Sequence, residues 1–302
     1  MTELQRYLVE EVAEDLADGI ITRREAMRRL GLLGIGGAAA AGLLSAAASP
    51  AVAAKRDPAA ASGRRERARG RGGVDAWAPV ATQPITFDGP SGTLMGAWAP
   101  ADGRARGAVL VIHENRGLTD HIRNVAGRFA ASGWSALALD LLSEEGGTPA
   151  DEGAAMAALA KVDPVRFDAD MRAAVGELAR RVPRKPINAI GFCFGGGMIW
   201  RLLASGERRL HGAAPFYGPF PTGGDLSRTR AAVLAVYGGR DARVTPQLSK
   251  PALDAAGLRY EIVTFTDADH AFFNDTGQRF DAPAAQEAWA RVLAWFGRRR
   301  RD

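Results

Sequence analysis

Three residues of this 302-residue chain stand in an order and a setting that suit nucleophilic chemistry. Cys193 lies in Gly191-Phe192-Cys193-Phe194-Gly195, a G-x-C-x-G pattern between a β-type run and a glycine-rich helix start. A sharp strand-to-helix turn pushes the central side chain outward, and small residues two positions before and after it let the backbones pass. A thiol at the start of a helix meets partial positive charge, which favours the thiolate, the nucleophilic form. Asp241 ends Tyr237-Gly238-Gly239-Arg240-Asp241, and His270 lies in Asp269-His270-Ala271-Phe272; each motif follows a strand-like run. In the order nucleophile, acid, histidine, His270 takes the thiol proton or pairs with the thiolate, and Asp241 holds its tautomer. Asp267 and Asp269 are rivals for the acid, but neighbours on a strand end tend to point away from the imidazole.

The remaining inventory narrows the chemistry. A single cysteine excludes an internal disulfide and any cysteine-cluster zinc or iron–sulfur site, and four histidines leave little for a metal centre. With 47% hydrophobic and 24% charged residues, the chain is neither a polytopic membrane protein nor wholly disordered. The net charge of +5 is concentrated: Lys55, Arg56, Arg64, Arg65, Arg67, Arg69 and Arg71 face only Asp57 and Glu66, and Arg298 to Arg301 follow at the C-terminus. No helix shows the basic periodicity with interleaved aromatics that nucleic-acid recognition needs, so no nucleic-acid partner is expected.

The elements that must position these residues alternate. Pro84 to Phe87 and Thr93 to Trp98 flank Gly89-Pro90-Ser91-Gly92 and predict a hairpin. Ala108 to Ile112 is a continuous apolar run, as expected of a strand buried on both faces. A helix over Asp120 to Ser132, a strand over Ser135 to Leu139 and helices over 149–161 and 164–181 follow. Ile187 to Phe192 leads into Cys193 and a helix to about Ser205. Gly212 to Phe216, Ala232 to Tyr237 and Tyr260 to Phe265 predict three more strands, and 282–297 a closing amphipathic helix. The alternation predicts an α/β fold, a mostly parallel sheet with helices on both faces.

The motifs V-I-H-E-N-R-G-L (Val111 to Leu118), G-F-C-F-G-G-G, Y-G-G-R-D and D-H-A-F, in this order, resemble the dienelactone hydrolase family over about residues 82–298. The resemblance implies an α/β-hydrolase fold, a Cys-His-Asp triad, an acyl-thiol intermediate, no metal or organic cofactor, and an ester or lactone as small-molecule substrate. The family's type reaction opens a dienelactone, carboxymethylenebutenolide. The resemblance also gives Glu114 the role of a carboxylate that hydrogen-bonds the resting thiol, and the backbone N–H groups of Asn115 and Phe194 that of an oxyanion hole. Independently, a carboxylate at the end of a buried strand needs a partner, for which Arg116 and Arg123 are the nearby cations. His113 is expected to orient its loop rather than to react. Two arginines that grip the substrate carboxylate in the family have no counterparts: Leu141 to Val165 holds no arginine, and Asn274 stands four residues after His270. Arg116 and Arg243 are the replacement candidates. Thioester or amide hydrolysis on the same fold, and a non-catalytic ligand-binding or redox-responsive thiol protein, are the alternative readings. A monomer is expected.

Residues 1–53 read as an address. Thr22 to Arg29 carries paired arginines, a weakly apolar run follows from Leu30 to Ser49, and Ala51-Val52-Ala53 has the small-residue pattern of a cleavage site. This resembles a twin-arginine export signal, with the export machinery as partner and a periplasmic or secreted destination. An uncleaved membrane anchor is the alternative. Residues 54–73 read as a disordered basic linker and 74–302 as the hydrolase domain.

Overall fold

The computed structural model describes residues 1–47 and 78–298, so the basic linker and the Ala51-Val52-Ala53 pattern lie outside the described residues. In chain order the helices α1 (Glu3–Ala17), α2 (Arg23–Leu32) and α3 (Gly37–Ala47) precede β1 (Gln83–Asp88), β2 (Thr93–Ala99) and β3 (Ala108–Ile112). Then come α4 (Asp120–Ala131), β4 (Ser135–Asp140), α5 (Glu152–Leu159), α6 (Pro164–Arg181), β5 (Ile187–Phe192) and α7 (Phe194–Ala204). β6 (Leu210–Phe216), β7 (Ala232–Gly238), α8 (Lys250–Ala255), β8 (Tyr260–Phe265) and α9 (Ala282–Phe296) complete the order. The chain divides into two compact units: residues 1–77 with 149–161, and residues 78–148 with 162–302.

In the larger unit one eight-stranded sheet runs β1-β2-β4-β3-β5-β6-β7-β8. β1 pairs antiparallel with β2, and β2 with β4; every other pairing is parallel. Asp88 faces Thr93 across the expected hairpin. Every residue of β3, β4, β5 and β7 is buried, which is why these strands read as unbroken apolar runs rather than alternating ones. Over one face α4 meets α9, with Phe129 packed on Trp289 at 4.5 Å between ring centroids. Over the other α6 meets α7, where Phe167 sits edge-on to Phe194. Helix starts are set locally: Asp163 caps α6 ahead of Pro164, and the Asp281 side chain accepts from the Ala284 N–H at the start of α9. α8 is absent from the sequence expectation because it buries only Leu253, too little to leave a periodic signal.

The smaller unit holds α1, α2, α3 and α5. Thr2 and Gln5 form a reciprocal capping box at the start of α1, and Thr22 caps α2. Leu8, Val12, Ala26, Leu30 and Leu44 are buried where α1, α2 and α3 pack together. The Arg28 guanidinium spans Glu25 and Asp151, and Arg29 spans Glu25 and Glu152, tying α2 to the start of α5. These two arginines hold the Glu25 carboxyl down at about 2. The expected apolar run from Leu30 is broken here: α2 stops at Leu32, Gly34 takes a φ of 83°, and α3 starts at Gly37. No helix among the described residues is long and apolar enough to cross a membrane.

Candidate functional site

The predicted site residues gather at the carboxyl ends of β3, β5, β7 and β8, the edge of a parallel sheet at which α/β folds place their ligand sites. Cys193 follows β5 with φ 56° and ψ −118°, a conformation that costs a residue with a side chain on the order of 1–3 kcal/mol. What holds it there is backbone crowding on both sides. A Cβ on Gly191 would lie 2.2 Å from the Gly195 carbonyl oxygen, and one on Gly195 would lie 2.5 Å from those of Ile112 and His113. The Cys193 N–H donates to the Phe216 carbonyl at 3.0 Å, pinning the turn to the end of β6. The two glycines of the motif are therefore required by space, and α7 begins directly behind the thiol.

His270 is buried and brings a ring nitrogen within 4.8 Å of the Cys193 sulfur. Its Nδ1 lies 2.5 Å from Asp241 Oδ2, which assigns the proton to Nδ1. Of the three acid candidates, the structure sets Asp241 against the imidazole; Asp267 is exposed and pairs with Arg240. Burial pushes the Asp241 carboxyl up, but His270 and Arg243 outweigh it and hold it at about 2. Arg243 acts on Asp241 Oδ1 through its backbone N–H at 3.1 Å and its guanidinium at 3.7 Å. The geometry thus gives this substrate-binding candidate a second place, braced against the acid. Tyr217, buried with φ 36°, packs its ring 5.0 Å from that of His270.

Glu114 sits on the loop after β3 and is 5% exposed. Its Oε2 accepts from the Asn274 side-chain amide at 2.7 Å, while Oε1 has no hydrogen-bond partner among the described residues. This arrangement corrects one expectation, the bond to the thiol, and sets aside the rival reading of an ion pair with a nearby arginine. Among the described residues Glu114 pairs with neither arginine, Arg123 lying instead 3.9 Å from Asp120, and the hydrogen bond to the resting thiol is not made. The physical reason is that a neutral amide already satisfies one oxygen. His113 behaves as expected: its Nδ1 donates to the Glu114 carbonyl at 2.6 Å and its Nε2 accepts the Leu141 N–H at 3.1 Å. Burial pulls its pKa down, so it stays neutral and ties the β3 loop to the β4 loop. The Asn115 and Phe194 segments abut where Gly195 touches the His113 carbonyl, and neither of their N–H groups donates to a backbone carbonyl among the described residues. Arg116 is half-buried on the same loop.

In the segment after His270, sequence reasoning marked Asn274 only as a departure from the family pattern and passed over Asp275 and Thr276. Ala271 has φ 58°, and Asp275, half-buried, then pairs with the buried Arg128 and accepts from His121 Nδ1 at 2.9 Å, both on α4. Burial raises the Asp275 carboxyl, and its two partners more than reverse that. The available signal was the polar run Asn274-Asp275-Thr276 inside an otherwise aromatic stretch. Away from these residues, an open cavity of about 390 Å³ is lined by Met95, Leu118, Arg123, Asp140 and Thr148 and holds no nucleophile of this set.

The comparisons with known proteins converge. The dienelactone hydrolase family profile matches residues 96–299. A provisionally named carboxymethylenebutenolidase of Escherichia coli is 33% identical over 208 residues, covering 62% of this chain and 75% of that protein. One of Saccharolobus solfataricus is 29% identical over 234 residues, covering 63% and 89%. The crystal structure of a provisionally named dienelactone hydrolase from Klebsiella pneumoniae superposes with a TM-score of 0.62 at 26% identity, covering 72% of this chain and 98% of the other. With the eight-stranded sheet and the strained cysteine turn at the end of β5, these matches make the chain a member of the dienelactone hydrolase family, α/β-fold hydrolases that act on ester and lactone bonds.

Proposed function

We propose that this protein cleaves an ester or lactone through an acyl-thiol intermediate on Cys193. The observation that carries the reading is the strained turn that presents Cys193 within 4.8 Å of a His270 whose other nitrogen is held by Asp241. In the first half-reaction the thiol proton passes to His270 and the sulfur attacks the carbonyl carbon. The S–C bond forms as the C=O π pair moves onto oxygen, where the N–H groups of Asn115 and Phe194 receive it. Collapse breaks the C–O bond, and the departing alkoxide takes the proton from His270; in a lactone it remains tethered to the acyl group. Water then gives a proton to His270 and attacks the thioester, the S–C bond breaks, and the acid leaves as the thiolate is reprotonated. On the family pattern, Glu114 is the second proton acceptor for the thiol once substrate binds.

The relatives named for carboxymethylenebutenolide suggest the bond type, whereas Asn274 and the arginine-free stretch from Leu141 to Val165 argue for a different acyl group. The test is a panel of chromogenic esters, lactones and thioesters assayed with wild type and Cys193→Ala. Turnover of an ester or lactone that Cys193→Ala abolishes is the expected result. Undiminished hydrolysis by Cys193→Ala overturns the reading.

A further inference from the structure

Glu114 poses a question that the proposed reaction leaves open. A buried carboxylate with one unpartnered oxygen is unusual, since buried polar atoms are nearly always satisfied. It has no cation beside it among the described residues, so its geometry must come from another source. The segment after His270 supplies one. Thr276 donates twice to Asn274 Oδ1, from its backbone N–H at 3.0 Å and its hydroxyl at 2.7 Å. A backbone N–H can only donate, so Oδ1 must be the oxygen, and the amide nitrogen is forced toward Glu114 Oε2, 2.7 Å away. One residue along, Asp275 is fixed by Arg128 and His121, which keeps the segment from drifting.

We propose that Asn274, oriented by Thr276, is a positioning residue that occupies Glu114 Oε2 and so selects Oε1, unpartnered among the described residues, as the oxygen of this carboxylate that exchanges a proton when substrate binds. The proposal rests on the reading of Glu114 as the thiol's second proton acceptor. An amide suits the task where a cation does not. It fixes the rotamer with one directed bond and adds no positive charge that would weaken the carboxylate as a base. Asn274 touches neither sulfur nor substrate in this scheme and acts only through Glu114.

The test is a double-mutant cycle on Asn274→Asp and Glu114→Gln, read by kcat and KM for a chromogenic ester and by the rate of Cys193 alkylation with iodoacetamide. Asn274→Asp keeps the acceptor for Thr276 and nearly the same volume, but it replaces the one donor to the Glu114 carboxylate seen among the described residues with a second carboxyl group. The expected result is a fall of about tenfold in kcat and in alkylation rate with KM nearly unchanged, and no further fall when Glu114→Gln is added. Thr276→Val, which leaves Asn274 in place, is expected to lower both rates by a smaller factor, and it carries the test if Asn274→Asp does not fold. If Glu114→Gln alone changes neither rate, the reading of Glu114 fails. If Glu114→Gln lowers both rates but Asn274→Asp and Thr276→Val do not, or if the losses from Asn274→Asp and Glu114→Gln add independently, the positioning role is overturned.

Discussion

At the scale of single residues, the pair formed by Asp241 and His270 is the part of the site whose energetics can be reasoned from contacts. In the proposed mechanism Asp241, 2.5 Å from His270 Nδ1, fixes the tautomer of His270 and stabilises the imidazolium without itself exchanging the proton. Asp241→Asn is therefore expected to lower kcat by about 10²–10⁴, and His270→Ala by at least a further factor of about ten, in a steady-state ester assay. The same contacts give a stability prediction. A carboxyl held at about 2, below its ordinary 3.8, binds its proton less readily in the folded state than in the unfolded one. Its contribution, on the order of 2 kcal/mol, is complete above about pH 4 and is lost as pH falls toward 2. Urea midpoints of wild type and Asp241→Asn should converge on acidification through that window. A gap that stays constant with pH would contradict the assignment.

At the scale of elements, the site depends on two junctions that pack backbone on backbone. The turn from β5 into α7 has no room for a Cβ at Gly191 or Gly195. Gly195→Ala must displace the end of β3, and it is expected to lower stability by roughly 2–3 kcal/mol and abolish ester hydrolysis, measured by thermal melting and by assay. A stable, active Gly195→Ala protein would mean that the turn relaxes. The second junction is the segment after β8, pinned to α4 by Asp275. Asp275→Ala leaves Arg128 buried beside His121 without this carboxylate, a loss of about 3 kcal/mol in urea unfolding. Because Asn274 and His270 flank this anchor in the chain, activity should fall more steeply with temperature in that variant than in wild type.

At the scale of the whole molecule, the open matter is what residues 1–47 are for. They form three helices, two of them capped by Thr2 and Thr22, with Arg28 and Arg29 paired to Glu25, Asp151 and Glu152, while Arg23 and Arg24 are exposed. Export by the twin-arginine route is our proposal for this segment, and that route carries proteins already folded. Arg23→Lys with Arg24→Lys is expected to hold the protein in the cytoplasm, whereas exported wild type should begin near Ala54 by N-terminal sequencing. Exported protein that still begins at Met1 would show instead that the helices are retained in the working enzyme.

How much of this was legible in the chain follows from the range of the forces involved. The sheet could be read because β3, β4, β5 and β7 are buried on both faces, and such burial writes itself as continuous apolar runs. The nucleophile turn could be read because its steric demand falls on Gly191 and Gly195, within two residues of Cys193. Asp241 and His270 could be placed in order but not in contact, since their 2.5 Å approach is made by β7 and β8 lying side by side. The partner of Glu114 was beyond sequence reasoning altogether. Asn274 is 160 positions away, looked like a mere departure from the family pattern, and meets Glu114 only because Asp275 anchors its loop to α4. Composition and local pattern thus determined the sheet, the turn and the candidates for the reacting groups. Tertiary structure alone decided which neutral or charged neighbour each buried group meets, because such contacts obey distance in space and leave no periodic trace along the chain.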